Sequence, residues 1–206
     1  KREELCAASL DLDHIPGITY RAESGEVVER GPQRLLSLDE IPFYYDDMAG
    51  FENRIVYYES SRGCPFSCSY CLSSIDKTVR FRSLDLVLPE LQFFLDHKVP
   101  QVKFVDRTFN CKRDHTLGIW RYLVEHGITN FHFEVSADIF DEEELELIGK
   151  MRPGLIQLEI GVQSTNPDTI KEIHRHMDLV KLKQAVDRVY DYRNPHQHLD
   201  LIAGLP

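Results

Sequence analysis

The stretch Arg62-Gly63-Cys64-Pro65-Phe66-Ser67-Cys68-Ser69-Tyr70-Cys71 follows directly on an apolar run, Ile55 to Glu59, that reads as a β-strand. The spacing Cys-x3-Cys-x2-Cys lets one loop turn three thiols toward a single face of a metal centre. Iron–sulfur clusters usually take four cysteines, so three from one loop would leave one iron open to a substrate or cosubstrate. The other reading is a zinc site, which needs a fourth ligand from Cys111 or a distant histidine. Burial alone does not call for this spacing.

Outward from the loop the pattern becomes regular. Leu84, Leu88, Leu91 and Leu95 recur at helical spacing, with Pro89 expected near the first turn, where proline is tolerated. Val102 to Asp106 reads as a second strand. Leu117, Trp120 and Val124 line a second helix, with Asp114 as N-cap and Gly127 as its stop. Phe131 to Ser136 is a third strand, and Asp141 with Glu144 forms a capping box for a helix through Leu145 and Ile148 that Pro153 ends. Leu155 to Val162 is a fourth strand. Asn166-Pro167 opens a further helix, which breaks near Met177 and resumes with Leu179, Leu182, Val186 and Val189. His198 to Ala203 is a fifth strand.

Strand and helix thus alternate five times, which predicts an α/β protein with a parallel sheet of barrel or open form. Ligands of such sheets gather at the carboxyl ends of the strands, and the cysteine loop leaves the first strand at that edge. Residues 1 to about 52 differ in texture, being punctuated by proline and glycine. Within them Ile18 to Arg21 and Val27 to Arg30 are spaced for a hairpin about Ser24-Gly25, and an extended connector follows.

The 206 residues carry a net charge of −10, with 34 acidic against 24 basic side chains. Nucleic-acid binding draws on a basic surface, so a nucleic-acid partner is disfavoured; the cluster at Lys112 and Arg113 reads as a solvated helix start. No apolar run approaches the ~18 residues of a membrane span, and the first ten residues lack a signal-peptide core. Five cysteines, three of them crowded together, suit a reducing cytoplasm and a metal better than a disulfide framework.

With Tyr70 as the aromatic residue before the last cysteine, Glu59 to Cys71 resembles the radical S-adenosylmethionine (SAM) superfamily. It is similar in particular to the cobalamin-binding branch that includes the anaerobic magnesium-protoporphyrin monomethyl ester cyclase. Ile15-Pro16-Gly17-Ile18-Thr19-Tyr20 and Leu38-Asp39-Glu40-Ile41-Pro42 resemble that branch's connector. The resemblance implies a partial (β/α) barrel with about five of six β/α units over residues 53–206, preceded by the tail of a cobalamin-type domain over residues 1–52. It implies a 4Fe–4S cluster on Cys64, Cys68 and Cys71, and SAM bound to the open iron. A one-electron donor such as flavodoxin or ferredoxin would then drive cleavage of SAM to a 5′-deoxyadenosyl radical that acts on a small-molecule substrate under anaerobic conditions.

The same resemblance assigns SAM contacts. Tyr70 lies beside the adenine. Asp106 stands where the family's Gly-Gly-Glu receives the SAM amino group. Glu134, Ser136 and Asp138 meet its carboxylate or ribose. Gly161-Val162-Gln163-Ser164 matches a family motif in which Gln163 lies near the ribose and Gly161 permits close approach, and Ile202-Ala203-Gly204 packs on the adenine. No Asp-x-His-x-x-Gly motif occurs, Asp11-Leu12-Asp13-His14 being only superficially similar, so cobalamin is expected in the full-length protein and not on this chain.

The remaining candidates read as structural. His174 and His176 do not share a helix face, His196 and His198 flank a strand start, and Cys6 and Cys111 read as plain buried thiols. Arg80 and Arg82 suit either an anion or a solvated strand, and the pairs Tyr44-Tyr45 and Tyr57-Tyr58 read as packing. Two other functions stay open: a methylthiotransferase-like enzyme acting on tRNA, and a zinc-stabilised binding module without catalysis.

Overall fold

The structure is a computed structural model that describes residues 12–75 and 78–206; Cys6 lies outside them. The chain divides into two units, residues 1–36 and 37–206. In the first, β1 (Thr19–Arg21) pairs antiparallel with β2 (Val27–Glu29), Thr19 standing opposite Glu29. The turn is the one the Ser24-Gly25 pair calls for: Gly25, at φ +86°, donates its N–H to the Ala22 carbonyl at 2.9 Å, in a conformation that strains any other residue.

The second unit runs β3 (Val56–Tyr58), β4 (Ser61–Arg62), β5 (Arg80–Phe81), α1 (Leu84–Asp96), β6 (Gln101–Phe104), α2 (Arg113–His126), β7 (Asn130–Val135), α3 (Glu142–Lys150), β8 (Ile156–Gln163), α4 (Pro167–Glu172), α5 (Leu179–Tyr192) and β9 (His196–Leu201). Five strands form one sheet in the order β3-β6-β7-β8-β9, every pair parallel. Spatial order equals chain order, so each crossover steps the same way, as in a (β/α) barrel.

Strand alternation gives the sheet two unlike faces. Val102, Phe104, Phe131, Phe133, Ile156, Leu158 and Ile160 are buried beneath the helices among Leu91, Phe94, Trp120, Leu123 and Ile148. Between them in sequence, Lys103, His132, Glu134, Gln157 and Glu159 share the opposite face.

Side-chain caps set the helix boundaries. Asp141 accepts from the Glu144 N–H at 2.8 Å while Glu144 accepts from the Asp141 N–H at 2.9 Å, closing the expected box. The break near Met177 is a second cap: Asp178 accepts from the Val180 and Lys181 N–H groups at 3.0 and 3.1 Å.

Four expectations need correction. Ser83 is the N-cap of α1, so Pro89 falls in the second turn rather than the first. Lys112, not Asp114, caps α2; Asp114 sits in its first turn, where an acid favours the helix dipole. The fifth strand starts at His196 rather than His198, because Arg193 ends α5 in the left-handed conformation. Asn194 then ties that corner down by donating to the Ile148 and Met151 carbonyls at 2.6 and 2.7 Å. Of the two readings open for Arg82, the solvated one fails: the side chain is buried and paired with Glu90 at 2.5 Å.

The Arg82 guanidinium also donates to the Ile41 carbonyl at 2.8 Å, and Asp39 accepts from the Ser83 N–H at 2.7 Å. Phe43 packs edge-on against Phe93 and Phe94 with centroids 5.4 and 5.5 Å away. Residues from 37 onward therefore pack as part of the sheet-bearing unit. Tyr45 and Tyr58 join the same aromatic cluster.

Candidate active site

The cysteine loop is closed at its base by the β4–β5 ladder, Ser61 opposite Phe81 and Arg62 opposite Arg80. Gly63 starts the loop at φ +104°, and a Cβ there would run into the Thr78 carbonyl; backbone freedom and space both require glycine. The Ser69 N–H donates to the Ile173 carbonyl at 2.9 Å, and the Cys71 N–H to the Cys68 carbonyl at 3.1 Å. Cys64 and Cys68 are buried and Cys71 is half-buried.

All three cysteines line one cavity. Its other walls come from the carboxyl ends of the strands: Arg107 and Thr108 after β6, Glu134 and Ser136 at the end of β7, Glu159, Gly161 and Gln163 on β8, and Asp200 on β9. Arg175, from the segment after α4, closes the side nearest Cys68. One Arg175 nitrogen stands 3.8 Å from the Cys68 sulfur and another donates to the Gly161 carbonyl. Its Nε is buried without a partner.

Cationic and anionic groups are interleaved around this space. The Tyr70 hydroxyl interacts with both Cys68 and Arg175, and burial with the neighbouring Cys68 pushes its pKa up. Burial, followed by repulsion from Glu159, raises the Glu134 pKa. Glu159 accepts from Lys103 at 3.2 Å and lies 3.1 Å from His132 Nε2. Burial lowers the His132 pKa, with Lys103 adding to the effect. At the β8–β9 register shift, Gln163 sits at φ +66°, a strained conformation for a residue with a side chain. A Cβ on Gly161 would meet the Gln163 amide.

The structure brings together Cys64, Cys68, Cys71, Tyr70, Glu134, Ser136, Gly161 and Gln163. It places four other expected contacts elsewhere. Asp106 is 0% exposed and accepts from the Ser60 N–H at 2.8 Å and the Ser60 hydroxyl at 2.5 Å, so its carboxylate is committed behind the cavity wall. Ile202 and Gly204 lie past the end of β9, because that strand spans His196–Leu201; Ile202 donates its N–H to the Gln163 carbonyl at 3.0 Å. The β9 residue on the cavity is Asp200. Asp138 accepts from the Ser136 hydroxyl and the Asp178 N–H, at 2.8 and 3.0 Å.

Sequence reasoning missed Arg107, Thr108, Glu159, Asp200 and Arg175. Glu159 was legible: it alternates with Gly161 and Gln163 on β8, and Asp200 pairs with Gly161 across the ladder. Arg175 carried no such signal. His196 and His198 do face one way, ring centroids 4.5 Å apart, and His174 and His176 are exposed. Cys111 is half-buried, its pKa pushed up to about 11 by burial, then by Cys64.

Among the described residues, no three His, Cys, Asp or Glu side chains gather closely enough to hold a single metal ion. Three thiols lining one cavity are a donor set from which a multi-iron cluster would take one thiolate at each of three irons. The partnerless Arg175 nitrogen in the same wall is a donor suited to an anion.

A parallel sheet in barrel-like order, presenting a three-cysteine loop to a polar cavity at its strand ends, defines the class: an α/β protein with its candidate site at the carboxyl edge of the sheet. The chain belongs to the Radical SAM superfamily, whose family model matches residues 58–206. It is 24% identical over 189 residues to an uncharacterized methyltransferase of Pyrococcus horikoshii, covering 87% of this chain and 40% of that protein. It is 27% identical over 218 residues to the cobalamin-dependent radical SAM methyltransferase TokK of Streptomyces tokunonensis, covering 95% of this chain and 31% of that protein. The fold matches the cobalamin-dependent S-adenosylmethionine radical enzyme OxsB at TM-score 0.76 and 19% identity, over 97% of this chain and 31% of that one. The chain thus spans well under half the length of these relatives. No described helix is long and apolar enough to cross a membrane.

Proposed function

We propose that this chain is the SAM-cleaving core of a cobalamin-dependent radical SAM methyltransferase, with a 4Fe–4S cluster held by Cys64, Cys68 and Cys71. The observation that carries the reading is the convergence of these cysteines and Arg175 on one cavity at the strand carboxyl ends. The methyltransferase relatives favour methyl transfer over the cyclase chemistry suggested by the sequence resemblance. Residues 1–52 would lead in from a cobalamin-type domain, and a flavodoxin- or ferredoxin-like protein would donate the electron.

When bound, the cluster supplies the electron for reductive cleavage of SAM. The chain's own residues hold and orient. Arg175, which lines the cavity, would offer the cosubstrate carboxylate a charge-assisted donor. Glu134 takes the role sought for Asp106, receiving the amino group. Gln163, fixed by its strained backbone, reaches the ribose, and Gly161 leaves room for close approach. Tyr70, 41% exposed, offers a ring to the adenine. Arg107 and Asp200 line the same cavity and would be available to a small-molecule substrate.

Anaerobic reconstitution with iron and sulfide, followed by reduction and electron paramagnetic resonance with and without SAM, tests this. A 4Fe–4S signal that shifts on adding SAM is the expected result. Bound zinc with no acid-labile sulfide would overturn it.

A further inference from the structure

Asp106 is the most deeply buried acid near the cysteine loop, and the cavity does not use it. Its two oxygens accept from the N–H and hydroxyl of Ser60, and Ser61 contributes further hydrogen bonds. Ser60 is fully buried and stands four residues before Cys64. The Ser60 hydroxyl also lies 3.0 Å from His115 Nε2. Since that hydroxyl donates to Asp106, His115 must donate to it, which assigns the Nε2–H tautomer from the hydrogen-bond pattern. Burial lowers the His115 pKa to about 4, so the imidazole is neutral at pH 7 and the chain runs one way, from His115 through Ser60 to Asp106.

A second contact joins the same two segments. Thr108, two residues after Asp106, places its hydroxyl 3.5 Å from the Cys64 sulfur. From the other side, the Arg82 N–H donates to the Ser60 carbonyl at 2.8 Å. The exit of β6 therefore grips the cysteine loop at its root and at its first cysteine.

We infer that Asp106 is a positioning residue: acting through Ser60, it sets where Cys64 stands relative to the cavity and so fixes the cluster's orientation toward SAM. The inference rests on the cluster reading above, but the clamp itself exists without a cluster. A buried carboxylate gripping a backbone N–H and a hydroxyl stiffens a loop root more than a neutral acceptor does; loss of one such charge-assisted bond moves an equilibrium about ten-fold or more, and even a neutral one about five-fold.

Two arms test it on Asp106→Asn, Ser60→Ala and, as a control, Leu123→Ala, a core truncation under α2 remote from the loop. In the apo-protein, alkylation of Cys64 is followed by mass spectrometry against Cys71. Asp106→Asn and Ser60→Ala should speed Cys64 at least about five-fold with Cys71 unchanged, and the control should speed neither selectively. In the reconstituted protein the first two should weaken SAM binding, read from the resonance shift, by a similar factor while the control keeps wild-type affinity. Wild-type Cys64 reactivity in both variants, or an equal effect in the control, overturns the inference. If Asp106→Asn does not fold, Ser60→Ala decides alone. A wild-type protein without a SAM-responsive cluster fails the functional reading and with it the SAM-orienting role, while the apo-protein arm still reports on the clamp.

Discussion

The two faces of the five-stranded sheet come from the same strands by alternation, yet opposite physics governs them. On the helix side, Phe133 is wholly buried between Phe109 and Phe104, with ring centroids at 4.3 and 4.6 Å. On the cavity side, its neighbour Glu134 shares space with Glu159, and burial raises its pKa. One face holds the fold by excluding water. The other keeps polar groups that no core would select, and these are the residues on which the proposed chemistry draws. The difference shows that strand parity assigns residues to fold or function before any motif is consulted.

Substitutions sharpen that comparison. The largest effect belongs to the helix face: Phe133→Ala should cost about 3–5 kcal/mol, read as a lower urea midpoint with cavity residues untouched. Next is the cavity wall, where Arg175→Ala should weaken SAM binding about ten-fold or more, since a hydrogen bond to a charged group is worth about 1.5–3 kcal/mol. Equilibrium binding together with an unchanged melting temperature checks it; equal losses of both would mean that Arg175 serves the fold.

A smaller effect falls at the helix layer's edge. Burial pushes the Glu144 pKa up to about 7, and Oε1 has no partner. A folded pKa above the unfolded value means that the stability contribution is full below about pH 4.5 and is lost as pH rises toward 7. Glu144→Gln keeps the capping box without the buried charge, so it should raise stability at pH 7.5 by on the order of 1 kcal/mol and bring no gain at pH 4. Melting curves at the two pH values measure this. Smallest is Gln157→Ala on the polar face, expected within about 0.5 kcal/mol of wild type; a loss near that of Phe133→Ala would erase the distinction between the faces.

The sequence made much of this legible for local reasons. The Asp141–Glu144 box, the Asn166-Pro167 start and the hairpin glycine are short-range devices, and the strands announced themselves by alternation. The cysteine spacing defined the loop. What stayed hidden depends on contacts distant in the chain. Arg175 meets Cys68 across 107 positions, and nothing in its neighbours marks it. Asp106 had the right charge at the right strand end, but only the fold shows Ser60 occupying it. Arg82 stayed open between an anion's partner and a solvated strand because Glu90, Leu38 and Ile41 come together only in three dimensions.

The strands of the sheet do not contribute equally to holding it together. Leu199 and Leu201 of β9 are 47% and 69% exposed, whereas Phe131, Phe133, Leu158 and Ile160 on β7 and β8 are almost wholly buried. Apolar area removed from water is what steadies a sheet, so among the described residues the middle strands carry the mechanical strength of this unit, and β9 is held mainly by its ladder to β8.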